Sequence, residues 1–189
     1  MSRVSRAQAE ENRAGVVAAA AQLFRERGVQ SVSVADLMKS VGMTHGGFYK
    51  QFASKDALVT EAADQAFTDR DAYLAGLDEG HATRAEARRA MVEEYLSREH
   101  RDEPGTGCPS AGFAGDMAQA AYDGNVSSQE VYAHGVRRFA DWMAEDGDDG
   151  LVATCTLVGA ILLARATSST EMSDKILQAA LKSVAGAQV

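Results

Sequence analysis

The chain has 189 residues, 46% of them hydrophobic, only two prolines and a formal net charge of −8. That length is enough to bury a sizeable core as one domain, or as one domain plus a small module. No run approaches the ~18 apolar residues of a membrane span. The best candidate, residues 151–164, is interrupted by Thr154 and Thr156, and residues 1–12 are polar and lack the apolar middle of a secretory signal. The two cysteines, Cys108 and Cys155, stand too far apart to read as a disulfide framework and fit a reducing cytoplasm.

A net negative protein is at first sight a poor partner for nucleic acid, but the charge is unevenly placed. Residues 1–55 carry eight Lys/Arg against four acids, a net +4, while residues 56–189 carry eleven against twenty-three, a net −12. A basic head on an acidic body directs only the head toward a polyanion.

Alanine-rich stretches with helical spacing run through the chain and predict an all-α protein. A first helix over 10–27 places Val16, Ala20, Leu23 and Phe24 on one stripe. Gly28 should end it in the left-handed conformation, letting Val29 pack on Phe24. Ser33 and Asp36 have the spacing of a capping box, with Val32 and Leu37 placed for a hydrophobic staple. Gly42 stops this short second helix. Thr44 then offers a hydroxyl to cap a third, with Met43 and Phe48 as a second staple. Ser54 opens a fourth helix, with Asp56 in its first turn.

Beyond it, one helix is expected over 56–77, broken near Gly76 and Gly80, and another over 83–100 with Ala87, Met91, Val92, Tyr95 and Leu96 on its apolar face. Residues 101–108, RDEPGTGC, form the clearest loop. Helices near 109–122, 127–145, 150–167 and 171–186 follow. No internal repeat or low-complexity tract occurs.

Two short helices joined by the tight turn Val41-Gly42-Met43 have the form of a helix-turn-helix, whose second member enters a DNA major groove. Here that member is Thr44–Phe52, THGGFYKQF. Phe48 and Phe52 take its inward face, leaving His45, Gly46, Tyr49 and Lys50 outward. Gly46 and Gly47 cost about 1 kcal/mol each against alanine, and their lack of side chains permits close approach to DNA. Thr44 and Tyr49 can reach phosphates, and Tyr49 can also reach base edges. Lys55, at a helix start, places an ammonium beside backbone N–H groups, and Ser33 can serve a phosphate in the same way. The pattern alone equally admits a three-helix core with a solvated basic face.

The run at residues 28–58, GVQSVSVADLMKSVGMTHGGFYKQFASKDAL, closely resembles the DNA-binding signature of the TetR family. With the first helix, the resemblance covers about 45 residues. It implies a helix-turn-helix DNA-binding domain at 1–55 and a larger helical ligand-binding and dimerisation domain at 56–189. It also implies DNA contacts by Ser33, Thr44, His45, Gly46, Tyr49, Lys50 and Lys55. His45 stands where many relatives have Lys or Arg, and Gly47 where many have Thr or Ala, so the bases read are not carried over.

In the second half, Gly107-Cys108-Pro109 looks like the Gly-Cys motif of TetR relatives that sense quinones, aldehydes or hypochlorous acid through a cysteine. A thiol ahead of a helix start can be acidified by the positive end of the helix dipole; equally, Cys108 can be a small buried hydrophobe. Cys155 reads as core. A ligand site is expected from Cys108, Phe113, Met117, Tyr95, Met91 and Trp142, its lining completed by Phe67, Tyr122 and Phe139. By resemblance, the last two helices pair with their copies across a twofold axis. Two heads then meet half-sites about 34 Å apart on a palindromic operator.

His45, His81, His100 and His134 are dispersed, and no HExxH, CxxC, phosphate loop or nucleophile elbow occurs, so neither metal nor cofactor is expected. The reading is a dimeric transcriptional repressor, not an enzyme, released from DNA by a small-molecule or electrophile signal. Its rivals are a helical thiol-dependent enzyme or scavenger and a non-inducible architectural DNA-binding protein.

Overall fold

The computed structural model describes residues 6–145 and 147–186; the ends of the two expected domains at 1–5 and 187–189, and Arg3 among the head's basic charges, lie outside them. Every regular element among the described residues is helical. The first, α1 (Arg6–Arg27), buries Val16, Val17, Ala20, Ala21 and Phe24 along one stripe. It ends where Gly28 takes a φ of 76° and returns its N–H to the Phe24 carbonyl at 2.9 Å. A Cβ would strain that conformation, so a glycine is needed to turn the chain here.

The second helix, α2 (Val34–Ser40), opens on Ser33, whose side chain accepts the Asp36 N–H at 3.1 Å and donates to the Asp36 carboxylate at 2.6 Å. Gly42, at φ 71°, turns the chain into α3 (His45–Phe48). This α-helix has four residues rather than the nine expected for 44–52. One further turn follows, closed by Phe52 N–H to the Phe48 carbonyl at 3.0 Å. Paired glycines at 46 and 47 weaken the helix they open. Thr44 occupies the cap position, but its hydroxyl accepts no capping hydrogen bond.

The long α4 (Lys55–Gly80) starts on Ser54, which accepts the Ala57 N–H at 3.0 Å. It passes unbroken through Gly76, a solvent-facing position where the helix face packed beneath outweighs one residue's poor propensity. The single helix expected over 83–100 is two: α5 (Arg84–Tyr95), with a Thr83–Glu86 capping box, and α6 (Arg98–Asp102). Ser97 divides them by capping the His100 N–H at 3.1 Å. The expected 109–122 helix is likewise divided at Phe113 into α7 (Pro109–Gly112) and α8 (Ala114–Tyr122). Then come α9 (Val126–Met143), α10 (Leu151–Ala166) and α11 (Glu171–Gly186).

Two apolar clusters organise these helices. One joins α1–α3 to the start of α4 through Phe24, Leu37, Met38, Phe48, Phe52 and Leu58, and takes in Phe113 and Met117. The other fills the body with Met91, Tyr95, Cys108, Phe139, Leu157 and Ile161. Helix α4 packs on both α1 and α9, so it runs from the head into the body. No helix among the described residues is long and apolar enough to cross a membrane, and no group of three or more His, Cys, Asp or Glu there is placed to hold a metal ion.

Candidate DNA-binding face and effector cavity

In the head, Phe48 and Phe52 are buried while Thr44, His45, Gly46, Tyr49 and Lys50 are exposed in succession. The inward pair anchors the turn and leaves the other residues on one outer surface. Tyr49 is 64% exposed, and its ring meets His45 and Phe48 edge-on at 5.8 and 5.1 Å. A Cβ built at Gly46 meets nothing within 4 Å, whereas one at Gly47 would touch the ends of Met38 and Met43. The flat outer surface therefore comes from Gly46, and Gly47 packs inward.

Ser33 is exposed but shares its hydroxyl with Asp36. Lys55 is half-buried, its Nζ donating to the Val29 carbonyl at 2.6 Å. The head's basic balance is thus partly spent within the protein. Arg6 pairs with Glu10, Arg13 with Glu61 and Arg27 with Glu26. Among the described head residues, Lys39 and Lys50 are exposed cations outside such pairs.

A cavity of about 330 Å³ opens in the body, between α1, α4, α5, α9 and the segment at 106–109. It brings together three residues of the expected ligand site, Met91, Tyr95 and Cys108, with Phe139. Phe113 and Met117 do not line it; both are packed in the head-side cluster. Trp142 is drawn elsewhere, its indole N–H donating to Asp78 at 2.9 Å under the Arg84 guanidinium. Phe67 packs on Tyr132, and Tyr122 is 87% exposed at the end of α8. Apolar periodicity marks a residue for burial without saying which of two clusters will receive it. Exposed Tyr122 breaks even that rule because α8 ends there.

The cavity also gathers polar residues that the sequence reading assigned no place: Arg25, Asp69, Arg70, Tyr73, Glu94 and His100. Arg25, counted among the head's charges, instead turns from α1 into the body, and its Nη1 donates to the Gly107 carbonyl at 3.2 Å. Gly112 leaves room for this turn, since a Cβ there would fall 2.6 Å from the Arg25 side chain.

Cys108 is 6% exposed at the start of α7, and its N–H donates to His100 Nε2 at 3.0 Å. With Nε2 accepting, the ring proton sits on Nδ1 and is given to the Tyr95 carbonyl at 2.6 Å. Burial lowers the His100 pKa below its usual value. Burial, reinforced by the neighbouring Cys108, pushes the Tyr95 hydroxyl well above its ordinary range. Cys155, expected in the core, is exposed on α10. It shares that outer stripe with Val152, Leu162 and Leu163, because the inward face of α10 is taken by Leu157, Ile161 and Ala164.

Residues 16–62 match the family model of the bacterial regulatory proteins, tetR family. An HTH-type transcriptional regulator, AcrR of Shigella flexneri, is 34% identical over 61 residues, 32% of this chain and 28% of AcrR. The match therefore spans under a third of that relative's length. An HTH-type transcriptional regulator of Mycobacterium tuberculosis is 28% identical over 168 residues, covering 79% of this chain and 82% of its own. The reduced form of Escherichia coli NemR has the same fold, with a TM-score of 0.73 at 20% identity, over 92% of this chain and 95% of NemR. The relatives named by sequence are transcriptional regulators rather than enzymes. Residues 16–62 are thus similar to the tetR-family regulators in sequence, and the chain as a whole has the fold of a solved TetR-family regulator from Agrobacterium tumefaciens, with a TM-score of 0.73 at 20% identity over 92% of this chain and 97% of that one.

Proposed function

We propose that this protein is a homodimeric repressor with a DNA-binding head at 1–55 and a ligand-binding, dimerising body at 56–189. Two copies of the face formed by Thr44, His45, Gly46, Tyr49 and Lys50 hold a palindromic operator, with Ser33 and Lys55 at its edges. A small molecule or electrophile reaching the body releases it. The observation that carries this reading is Arg25: it belongs to the head's first helix, lines the body's cavity and holds the carbonyl next to Cys108. An occupant that displaces Arg25 changes how the head sits on the body, and so favours a dimer whose heads no longer match two successive grooves. The apolar outer stripe on α10, with Val152 74% and Leu163 59% exposed, supports pairing of the last two helices with their copies.

Mobility shift on the DNA flanking the protein's own gene, with and without oxidants and electrophiles, tests the reading. Specific, effector-sensitive binding is expected; no sequence preference, or turnover of the thiol reagent without DNA affinity, would overturn it. Cys108→Ser separates the two kinds of effector, since a covalent signal is lost in this variant while DNA binding persists.

A further inference from the structure

Two arginines converge on the residue before Cys108 with no carboxylate between them. Arg25 Nη1 donates to the Gly107 carbonyl at 3.2 Å, and a Cβ on Gly107 would fall 2.7 Å from Arg165 Nη2. Arg165 also spends its hydrogen bonds on backbone, donating from Nε to the Arg101 carbonyl at 3.0 Å and from Nη2 to the His100 carbonyl at 2.8 Å. Neither guanidinium stands in an ion pair among the described residues. Burial lowers the pKa of both, against a smaller opposing effect of Asp69 on Arg25.

Arg25 lines the cavity, and its Nε is buried without a protein partner. Arg70 lines it too, is 9% exposed and keeps Nη1 buried in the same condition, while Nη2 holds Asp71 and the Gly135 carbonyl. Asp71 is itself shared with Arg138 at 2.8 Å. The carboxylates of the lining, Asp69 and Glu94, are exposed. Water screens a charge at the surface, whereas a cation drawn into the fold keeps its desolvation cost until an anion meets it. Water inside the cavity can satisfy the free N–H groups, but it cannot neutralise the charge.

We infer that this cavity takes an organic anion, a carboxylate-bearing molecule whose charged end meets Arg25 and Arg70; its role as an effector rests on the function proposed above. Leu74, Met91 and Phe139 supply the wall for its carbon frame. The bond from Arg25 to a neutral carbonyl is long at 3.2 Å. A carboxylate is the stronger acceptor and can take two charge-assisted bonds from one guanidinium. A bound acid therefore draws Arg25 off Gly107, the displacement that release from DNA requires in that reading. An amine would meet Asp69 and Glu94 only where water competes for both. The volume of about 330 Å³ is at the small end for organic ligands and suits a single ring with a short acid arm.

Calorimetry on the full chain without DNA, at neutral pH, tests this with one carbon frame in three charge states: cinnamate, cinnamamide and cinnamylamine. Cinnamate should bind about tenfold or more tighter than the amide. Arg25→Gln keeps a donor for the Gly107 carbonyl but loses the charge. It should weaken the acid about tenfold and leave the amide unchanged, and Arg25→Lys should restore part of the preference. The ratio of acid to amide is read on the parent chain, so it stands even where a variant is unstable. Amide or amine binding as tight as the acid would overturn the inference, as would an acid that ignores Arg25→Gln or weakens only in parallel with the amide. If no probe binds while duplex DNA still does, the ligand class fails and the regulator reading stands. Acid binding that responds to Arg25→Gln in a chain without DNA affinity upholds the anion site and sinks the regulator.

Discussion

The Asp116 carboxylate on α8 accepts the Val29 N–H through both oxygens, at 3.1 and 3.2 Å, across 87 residues of chain. Val29 follows the glycine that ends α1, and its carbonyl receives Lys55. Thus one residue of the head is held through its N–H by α8 and through its carbonyl by the start of α4. Burial raises the Asp116 pKa, against the smaller opposing effects of the Val29 N–H and Lys55.

Removing that carboxylate should loosen the head from the body. Asp116→Ala leaves the Val29 N–H unpaired and is expected to cost about 1–3 kcal/mol, measured by urea unfolding. In the function proposed here it should also weaken effector-driven release more than DNA binding. Asp116→Asn keeps an acceptor. Because the folded pKa is raised, ionisation disfavours the folded state as pH rises through that value, so at neutral pH this variant should match or exceed the parent's stability.

The outer face of α3 should govern DNA affinity without governing the fold. Tyr49→Ala together with Lys50→Ala should abolish specific duplex binding in fluorescence anisotropy and leave the helical circular dichroism unchanged, since both side chains are exposed. Lys50→Ala alone should reduce the dependence of binding on salt by about one phosphate contact per head. Specific affinity surviving the double change would refute the proposed face.

His100 sets a pH dependence. Its folded pKa lies below the usual 6.5, so the unfolded chain takes up its proton first as pH falls. The stability associated with neutral His100 is therefore fully present above 6.5 and is lost as pH drops toward the folded value. Thermal unfolding from about pH 7.5 to about pH 5.5 should show a falling midpoint. His100→Gln, able to accept from Cys108 and donate to Tyr95, should flatten the slope.

Gly135 is a packing requirement of α9. A Cβ there would overlap the Phe67 ring, and the Gly135 carbonyl receives Arg70 at 2.9 Å. Gly135→Ala should cost about 1–3 kcal/mol or more, and because Arg70 bridges this point and the cavity, it should weaken effector binding in calorimetry.

The α10 stripe should hold the dimer. Leu163→Arg places a charge on an exposed position and should convert the proposed dimer to a monomer by light scattering. Affinity for the full palindrome should then fall about 100-fold or more, while the monomer's fold is kept. An unchanged mass would move the interface elsewhere.

Much of the head was legible in the sequence because its signals act over three or four residues. Gly28 and Gly42 need a left-handed backbone, Ser33 and Ser54 reach an N–H three residues on, and Phe48 and Phe52 share a face by helical spacing alone. Such rules do not depend on what lies across the fold. They faltered where local preferences compete, as at Ser97, which opens a new helix, and at Gly76, which fails to end one. The cavity obeys no short-range rule. Arg25, Arg70, Tyr95 and Cys108 come from four helices or their ends, and only packing decided that Phe113 and Met117 would fill the head-side cluster while Met91 faced the cavity. Apolar periodicity fixes which side of a helix is buried; the neighbour it is buried against depends on how every other helix packs. That is why Cys155, apolar in its surroundings along the chain, lies on the outside of the folded protein.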